Sequence, residues 1–555
     1  MLFWLCLSFI FSLALAQAGW EEGFQAAYVV QDDARQHVFW MQRFIDPELF
    51  PNDLIADYFQ SVAPLGYTKL YQFFVSLGID LFLFNKLLAA ALGLFVTAWT
   101  FALIMLLMPV PFAGFCTTWA LNITLWMKDD LVSGTPRAFV YPMAIVFLYC
   151  LLKKWVIPCA IVIVLTGWFY PQYVLVEAGI MGIQLLWYRR DYRLYALGLG
   201  VAFIVLLPYA LSTDGYGEVI TRAEAINMPE FWRRGRSEFF HEDPLQFWIF
   251  GDRSGFFTKP KRFPLILWTA VLLPIFQRFP KQFPLIKCLD KRIVILVHIL
   301  LASLVLFFLA HLLLFDLHLP SRYTRYNLPV LLSIATGLSI AIGTDALLQI
   351  QVNHRLISGL KQGAIAFLAL TLIIVYPMTV EEFPNTNYST GKAPEFYPFF
   401  RSQPKDTLIA SLSEEANNLP SFVGRSVLFG REYAIPYHTG YYSKLRDRAI
   451  ALVEAQYSLD PAILKEFIQT YNVDFWLLDR DAFTPAYILD NDWLKGFQTS
   501  KFISDPLVQV TQVAFLHLEQ GKPPALSSTI NSCTVQGTAT HLVLDTACIL
   551  NILGG

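Results

Sequence analysis

Charge is what this chain has least of. Of its 555 residues 15% are Asp, Glu, Lys or Arg, against about 25% in soluble globular domains. That shortage excludes an ordinary soluble enzyme and a disordered, charge-rich chain. Neither sign is in excess: 41 Lys and Arg face 43 Asp and Glu, a net charge of −2. A nucleic-acid binder would be basic, so no nucleic acid is expected among the partners. Cysteine is scarce as well. The seven present include no CxxC pair, which excludes a zinc ribbon and a disulfide scaffold. There is no repeat of fixed period and no low-complexity tract. What remains is apolar: 55% hydrophobic residues, 15% aromatic, and a mean hydropathy of +0.48. This composition fits a polytopic α-helical membrane protein, in which each span needs roughly 20 apolar residues.

Apolar runs fall near 2–18, 82–108, 111–127, 138–152, 155–170, 172–187, 194–211, 264–277, 293–315, 328–350 and 362–377. They predict about eleven transmembrane helices, the shorter ones tilted or re-entrant. Short loops rich in Lys and Arg lie on the cytoplasmic side. One alternating set of loops has them: Lys153-Lys154; Arg189, Arg190 and Arg193; Arg278, Lys281, Lys287, Lys291 and Arg292; Arg355 and Lys361. The N-terminus is then cytoplasmic. Segments 19–81, 128–137, 212–263 and 316–327 and the tail from about 380 face a periplasm or lumen. Ala14-Leu15-Ala16 resembles a signal-peptidase site, but no basic stretch precedes it, so the first run is read as an uncleaved helix.

The chain accordingly divides into a transmembrane module, 1–378, and a soluble outward-facing α/β domain, 379–555. Ser426–Phe429 and Val473–Leu478 have the pattern of buried strands, with Pro461–Tyr471 at helical spacing between them. Cys533 and Cys548 both lie in this tail, where an oxidising compartment would let them pair.

The first outer segment holds the most suggestive residues. Asp32 and Asp33 open a stretch in which Val38, Phe39, Met41, Gln42 and Ile45 are spaced for an amphipathic helix on the membrane surface. Two acids at a helix start have a plain explanation as a cap and a match to the helix dipole. They also have a functional one, because they directly follow the first span and precede Pro64-Leu65-Gly66-Tyr67-Thr68-Lys69-Leu70-Tyr71.

In these two elements, Asp32-Asp33-Ala34-Arg35 and Pro64 to Tyr71, the sequence resembles the GT-C superfamily of polytopic membrane glycosyltransferases. The protein O-mannosyltransferase and aminoarabinose-transferase types are the nearest in pattern. The resemblance implies transfer of a sugar from a polyprenyl-phosphate donor to a glycan, lipid or protein acceptor. It implies Asp32 as the base, Asp33 as the second acid, and Lys69 and Lys86 as basic groups near the donor. The pattern departs at Ala34, and the Lys-Pro-Pro of some members is absent.

Further outer residues fit the same implication. Asp129-Asp130 matches a second acidic motif that binds a divalent cation in some members; a solvated turn explains it equally, and no cofactor is required. Arg137, Arg322, Tyr323 and Arg325 stand at the outer interface, where a carrier phosphate would lie. Arginine presents a donor fork suited to phosphate, although Arg and Tyr also gather there as plain anchors. The 212–263 loop, rich in Trp and Arg, would close over a substrate or pack on the tail. Arg431-Glu432-Tyr433 reads as packing. Glu177 and His311 fall inside helices, where ionisable groups mark function by default. They keep open a transporter or flippase, and the lack of a full catalytic signature keeps open a non-catalytic assembly protein. The leading expectation is inverting glycosyl transfer at the outer face.

Overall fold

The computed structural model of the chain describes residues 1–188, 191–211, 215–257, 259, 263–350, 363–364, 367, 371, 375–376, 379 and 383–554. The expected run at 362–377 lies largely outside these residues, as do Arg189, Arg190, Arg355 and Lys361.

The described chain is mostly helical. Six helices are long and apolar enough to cross a membrane: Leu2–Gly23, Leu81–Leu107, Pro136–Lys153, Tyr192–Leu211, Lys291–Leu312 and Pro320–Gln349. Shorter apolar helices, Pro111–Trp126, Val156–Phe169 and Gln172–Trp187, pack among them. The run at 264–277 is broken into a 3-10 segment, Leu265–Val271, and a helix, Leu272–Arg278. Tyr192–Leu211 leaves Leu197, Phe203, Ile204 and Leu211 exposed, a surface suited to lipid and not to water.

Between the apolar helices, small polar side chains bond across the interface. Thr118 Oγ1 donates to Ser8 Oγ at 2.8 Å and Asn122 Nδ2 donates to Thr97 Oγ1 at 2.9 Å. Such pairs are needed because hydrocarbon offers an amide or hydroxyl no other partner. Gly337 lets the last long helix meet Pro111–Trp126 backbone to backbone. A Cβ there would stand 2.4 Å from the Thr117 nitrogen. The two in-helix ionisable groups also have local partners. Thr166 Oγ1 donates to Glu177 at 2.8 Å, and His311 Nε2 lies 2.9 Å from the Ser254 carbonyl.

Strand β1 (Val29–Gln31) pairs antiparallel with β2 (Tyr388–Thr390), tying segment 19–81 to the start of the tail. The tail carries a five-stranded sheet built from β3 (Leu408–Ala410), β4 (Ser426–Val427), β5 (Phe475–Asp479), β6 (Thr534–Gly537) and β7 (His541–Asp545). Their order is β4-β3-β5-β7-β6; β3 runs parallel to β4 and β5, and β7 runs antiparallel to β5 and β6. Trp476, Leu477, Val543 and Leu544 fill its core. Helices Thr439–Tyr457, Pro461–Tyr471 and Pro506–Glu519 belong to the same part of the chain. Cys533 and Cys548 are bonded, with Cα atoms 5.5 Å apart, and join the short helix before β6 to the helix after β7.

One difference from the sequence reading concerns segment 31–71. Part of its apolar face is covered by protein, while Ile45 stays exposed. Val38, Phe39 and Met41 are buried within the protein, and the Phe39 ring meets that of Tyr433 at 5.4 Å. The segment breaks into Ala34–His37, a 3-10 turn Phe39–Phe44, and Leu54–Ser61. Periodicity showed an apolar face but not what covers it. Segment 212–263 likewise packs on the tail. Glu230 accepts from Tyr442 and Arg446, each at 2.8 Å.

Candidate functional site: an acidic pair between two arginine clusters

Asp32 and Asp33 follow β1 directly. The Asp32 backbone N–H donates to the Asn387 carbonyl at 3.1 Å, and the Asp33 N–H donates to Gln31 Oε1 at 2.9 Å. Asp33 stands at the start of the short helix Ala34–His37, yet makes no side-chain capping hydrogen bond. The plain explanation of the pair as a helix cap is therefore not how these carboxylates are used. They point to two different arginine clusters.

Asp33 meets Arg137. Its Oδ2 lies 2.6 Å from Arg137 Nη2, which is 3.0 Å from Asp129 Oδ2, while Nη1 is 3.4 Å from Asp130 Oδ1. One guanidinium thus gathers carboxylates from two separate segments, 19–81 and 128–137. The turn that carries it is built by neighbours of the expected residues. Gly134 has φ +59°, in the left-handed region that favours glycine, and a Cβ there would lie 2.4 Å from Asn85 Nδ2. Asn85 Nδ2 donates to the Ser133 carbonyl at 2.8 Å, and Tyr71 donates to the Gly134 carbonyl at 2.8 Å. Tyr141 completes the group by donating to Asp130 Oδ2 at 2.9 Å.

Asp32 meets the second cluster. Arg35 binds its Oδ1 and also lies 3.8 Å from Glu432 Oε2. Glu432 bonds Gln36 and Arg236 as well. Arg35 is held from the far side by Asn418 Oδ1 at 3.1 Å. Hence the tail, through Glu432 and Asn418, completes a site that begins at residue 32.

The electrostatics follow from burial among like charges. Asp33 is pushed up to about 7, first by burial, against Arg137, and then by the negative charges of Asp129, Asp32 and Glu432. Asp32 is raised by burial and by Glu432, with Arg35 and Arg236 opposing. Glu432 is also buried, which alone would raise it, but Arg236, Arg35 and Arg431 together hold it below the usual range. Asp130 is held low in the same way by Arg137, Lys128 and Arg322. Beside them, His37 is pushed down to about 4 by burial and by Arg137, so it is neutral at pH 7.

Not every expected residue joins this group. Arg322 lies against the Tyr326 ring, 5.8 Å from its centroid, within electrostatic reach of Asp130 and Arg137. Arg325, by contrast, is bound to Asp252 at 3.1 Å and to the Gly251 and Phe257 carbonyls at 3.3 Å, which pins the 251–257 loop. Tyr323 donates to the Leu317 carbonyl at 2.8 Å. Lys69 bonds Gln72 on an exposed helix face at 2.9 Å, and Lys86 sits over the Phe24 ring at 4.8 Å. Asp129 and Asp130 compensate Arg137, and among the described residues no group of three His, Cys, Asp or Glu is arranged to hold a metal ion. Glu432 is the residue that sequence reading passed over. It stood in the noted Arg431-Glu432-Tyr433 run, but no spacing links it to residue 32.

No protein-family model matches the chain, and no curated protein matches it. Solved structures do. The apo oligosaccharyltransferase of Archaeoglobus fulgidus aligns at 12% identity over 92% of this chain and 72% of its own, with a TM-score of 0.55. The archaeal oligosaccharyltransferase AglB from Archaeoglobus fulgidus, in complex with an inhibitory peptide and a dolichol-phosphate, aligns at 11% identity over 89% and 71%, with a TM-score of 0.56. ArnT from Cupriavidus metallidurans, bound to undecaprenyl phosphate, aligns at 13% identity over 96% and 97%, with a TM-score of 0.47. At these identities it is the fold alone that is shared, with the two Archaeoglobus fulgidus oligosaccharyltransferase structures.

Proposed function

We propose that the chain is a membrane glycosyltransferase that moves a sugar from a polyprenyl-phosphate donor to a hydroxyl-bearing acceptor, with inversion, at the outer face of the bilayer. The observation that carries this reading is the meeting of Asp32, Asp33, Arg137 and Glu432, drawn from two outer segments and the tail, at one place. The dolichol-phosphate in the AglB structure supports a lipid-phosphate donor.

In this reading Asp32 is the base. Arg35 engages its Oδ1, which leaves Oδ2 to take the acceptor proton. The acceptor oxygen then bonds to the anomeric carbon, and the bond from that carbon to the phosphate oxygen breaks. The electron pair leaves on the lipid phosphate, and the proton remains on Asp32. Arg322 faces the developing phosphate charge, and Lys128 adds to the local positive field. Asp33 positions Arg137. The about eleven spans, the cytoplasmic N-terminus and the outward α/β tail belong to the same proposal. Glu177 and His311, bonded to Thr166 and Ser254, give a transport path no support.

The test is sugar transfer in membranes supplied with polyprenyl-phosphate sugars. Asp32→Asn is expected to lower the rate by roughly 10²- to 10⁴-fold at unchanged expression. Full activity of that variant would remove Asp32 as the base.

A further inference from the structure

Helix Lys291–Leu312 carries an exposed apolar stripe. Val297, Leu301, Val305, Phe308 and Leu312 follow one another at steps of three or four residues, and all are exposed among the described residues. That spacing places them on one face of the helix. On a helix long and apolar enough to cross a membrane, such a face meets hydrocarbon.

At the Leu312 end the stripe continues onto segment 212–263. The Trp248 ring lies 4.7 Å from that of His311, the residue before Leu312, and Trp248 is 42% exposed. Leu245, three residues earlier, is 56% exposed. Three features fit this part of the segment to a lipid surface. First, its backbone is paired within the protein, as hydrocarbon requires. The Trp248 and Ile249 carbonyls accept from the Phe256 and Phe257 N–H groups at 2.9 and 2.7 Å, and the single π-turn Gln246–Phe250 closes on itself. Second, the turn is pinned from inside. Phe247 meets Phe239 at 5.7 Å and His311 at 5.4 Å, and His311 Nε2 lies 2.9 Å from the Ser254 carbonyl. Leu245 and Trp248 are therefore held outward on a fixed base. Third, polarity changes abruptly along the chain. Glu242 and Asp243 are exposed just before Pro244, and Glu242 pairs with Lys501 of the tail at 2.8 Å. Carboxylates resist entry into hydrocarbon, so they set the depth that the turn can reach.

From these we infer that Leu245 and Trp248 enter the bilayer as an interfacial anchor, and that the partner of this surface is lipid. The turn is too short to span, so it lies in the leaflet at the Leu312 end of the helix. Leu245 meets acyl chains. Trp248, an apolar ring with one polar N–H, suits the boundary between chains and headgroups. Continuity decides for lipid over another occupant, because hydrocarbon that covers Phe308 and Leu312 reaches the Trp248 ring beside them. The anchored turn runs directly into the 251–257 loop that Arg325 binds, so lipid and Arg325 hold one loop from two sides. This contact is independent of the reaction at the acidic pair.

The experiment uses the full chain in phosphatidylcholine nanodiscs. Cys6 and Cys288, the exposed free cysteines among the described residues, are replaced by Ala; Cys116, Cys150 and Cys159 are buried, and Cys533 and Cys548 are bonded to each other. A nitroxide is attached in turn at Leu245→Cys, Trp248→Cys, Leu312→Cys and Glu242→Cys, all at exposed positions. EPR power saturation reads its collisions with oxygen, which concentrates in lipid, and with a water-soluble nickel chelate. Leu312 gives the lipid reference and Glu242 the aqueous one. Labels at 245 and 248 are expected to match Leu312, with nickel collisions severalfold below those at Glu242 and oxygen collisions severalfold above. An aqueous reading at either position would overturn the inference. Protection from both reagents, with spin–spin broadening that vanishes on dilution with unlabelled chain, would make a second copy the occupant and overturn it. Protection from both without broadening would mean that the chain itself covers the turn, and would overturn it too.

Discussion

Arg137 and Arg325 invite comparison. Each stands in an outer turn at the start of a long apolar helix, and each was an equal candidate for a phosphate contact. Their surroundings differ. Arg137 is shared by Asp33, Asp129 and Asp130, which reach it from two separate segments. Arg325 is bound by the Asp252 carboxylate and by three backbone carbonyls of one loop. The first arrangement concentrates like charges around one cation and raises a neighbouring acid. The second fixes a loop. The same side chain thus gathers acids in one region and ties down a loop in the other.

The largest effect that would break this contrast lies on the acidic pair itself. If Asp32→Asn retained transfer, where a loss of roughly 10²-fold or more is expected, the Arg137 region would be no more reactive than the Arg325 region. Arg137→Gln comes next. Removing the shared cation leaves three carboxylates facing one another, and breaking a buried ion pair costs about 3–5 kcal/mol. A clearly lower melting temperature is expected, together with loss of transfer. Arg325→Gln is expected to lower stability but to leave transfer within a few-fold, as measured by thermal unfolding and initial rates.

The pH profile sharpens the comparison further. Asp33 is raised to about 7, and both it and Asp32 must be ionised for Asp32 to accept a proton and for Arg137 to stay paired. Transfer is expected to rise with pH up to about 7 and to fall on the acid side. Asp33→Asn is expected to move that acid limb to lower pH in the residual activity, since it removes the group titrating near 7. A limb that stays in place would assign it elsewhere. The smallest effect is expected at Lys69→Ala, with transfer unchanged, because Lys69 bonds Gln72 on an exposed face away from the acids.

Much of the fold was legible in the sequence. Apart from the broken run at 264–277, the apolar runs from residue 2 to residue 350 form helices close to their expected limits, because helix formation satisfies the backbone within each segment. Pro461–Tyr471 and the strand at 475–479 also lie where their patterns put them. The 31–71 segment was legible only in part. Its apolar face was visible, but the tail that covers it lies more than 350 residues away, as Gln42 bonding the Pro420 carbonyl shows.

For the site, the division runs along the same line. Asp32 and Asp33, Asp129 and Asp130, Arg137 and Arg322 could be named from residue type and side of the membrane, since those depend on local composition. Lys69, Lys86, Tyr323 and Arg325 had equal standing by that measure and are turned to other contacts. Glu432, Asn418 and Arg236 could not be tied to residue 32. Which charges share a low-dielectric space depends on pairings such as β1 with β2, which bring residue 32 beside residue 387. Composition by itself determined that the chain is a membrane protein. Only the tertiary structure decided which of its acids meet, because electrostatic coupling depends on distance and burial, and neither is written along the chain.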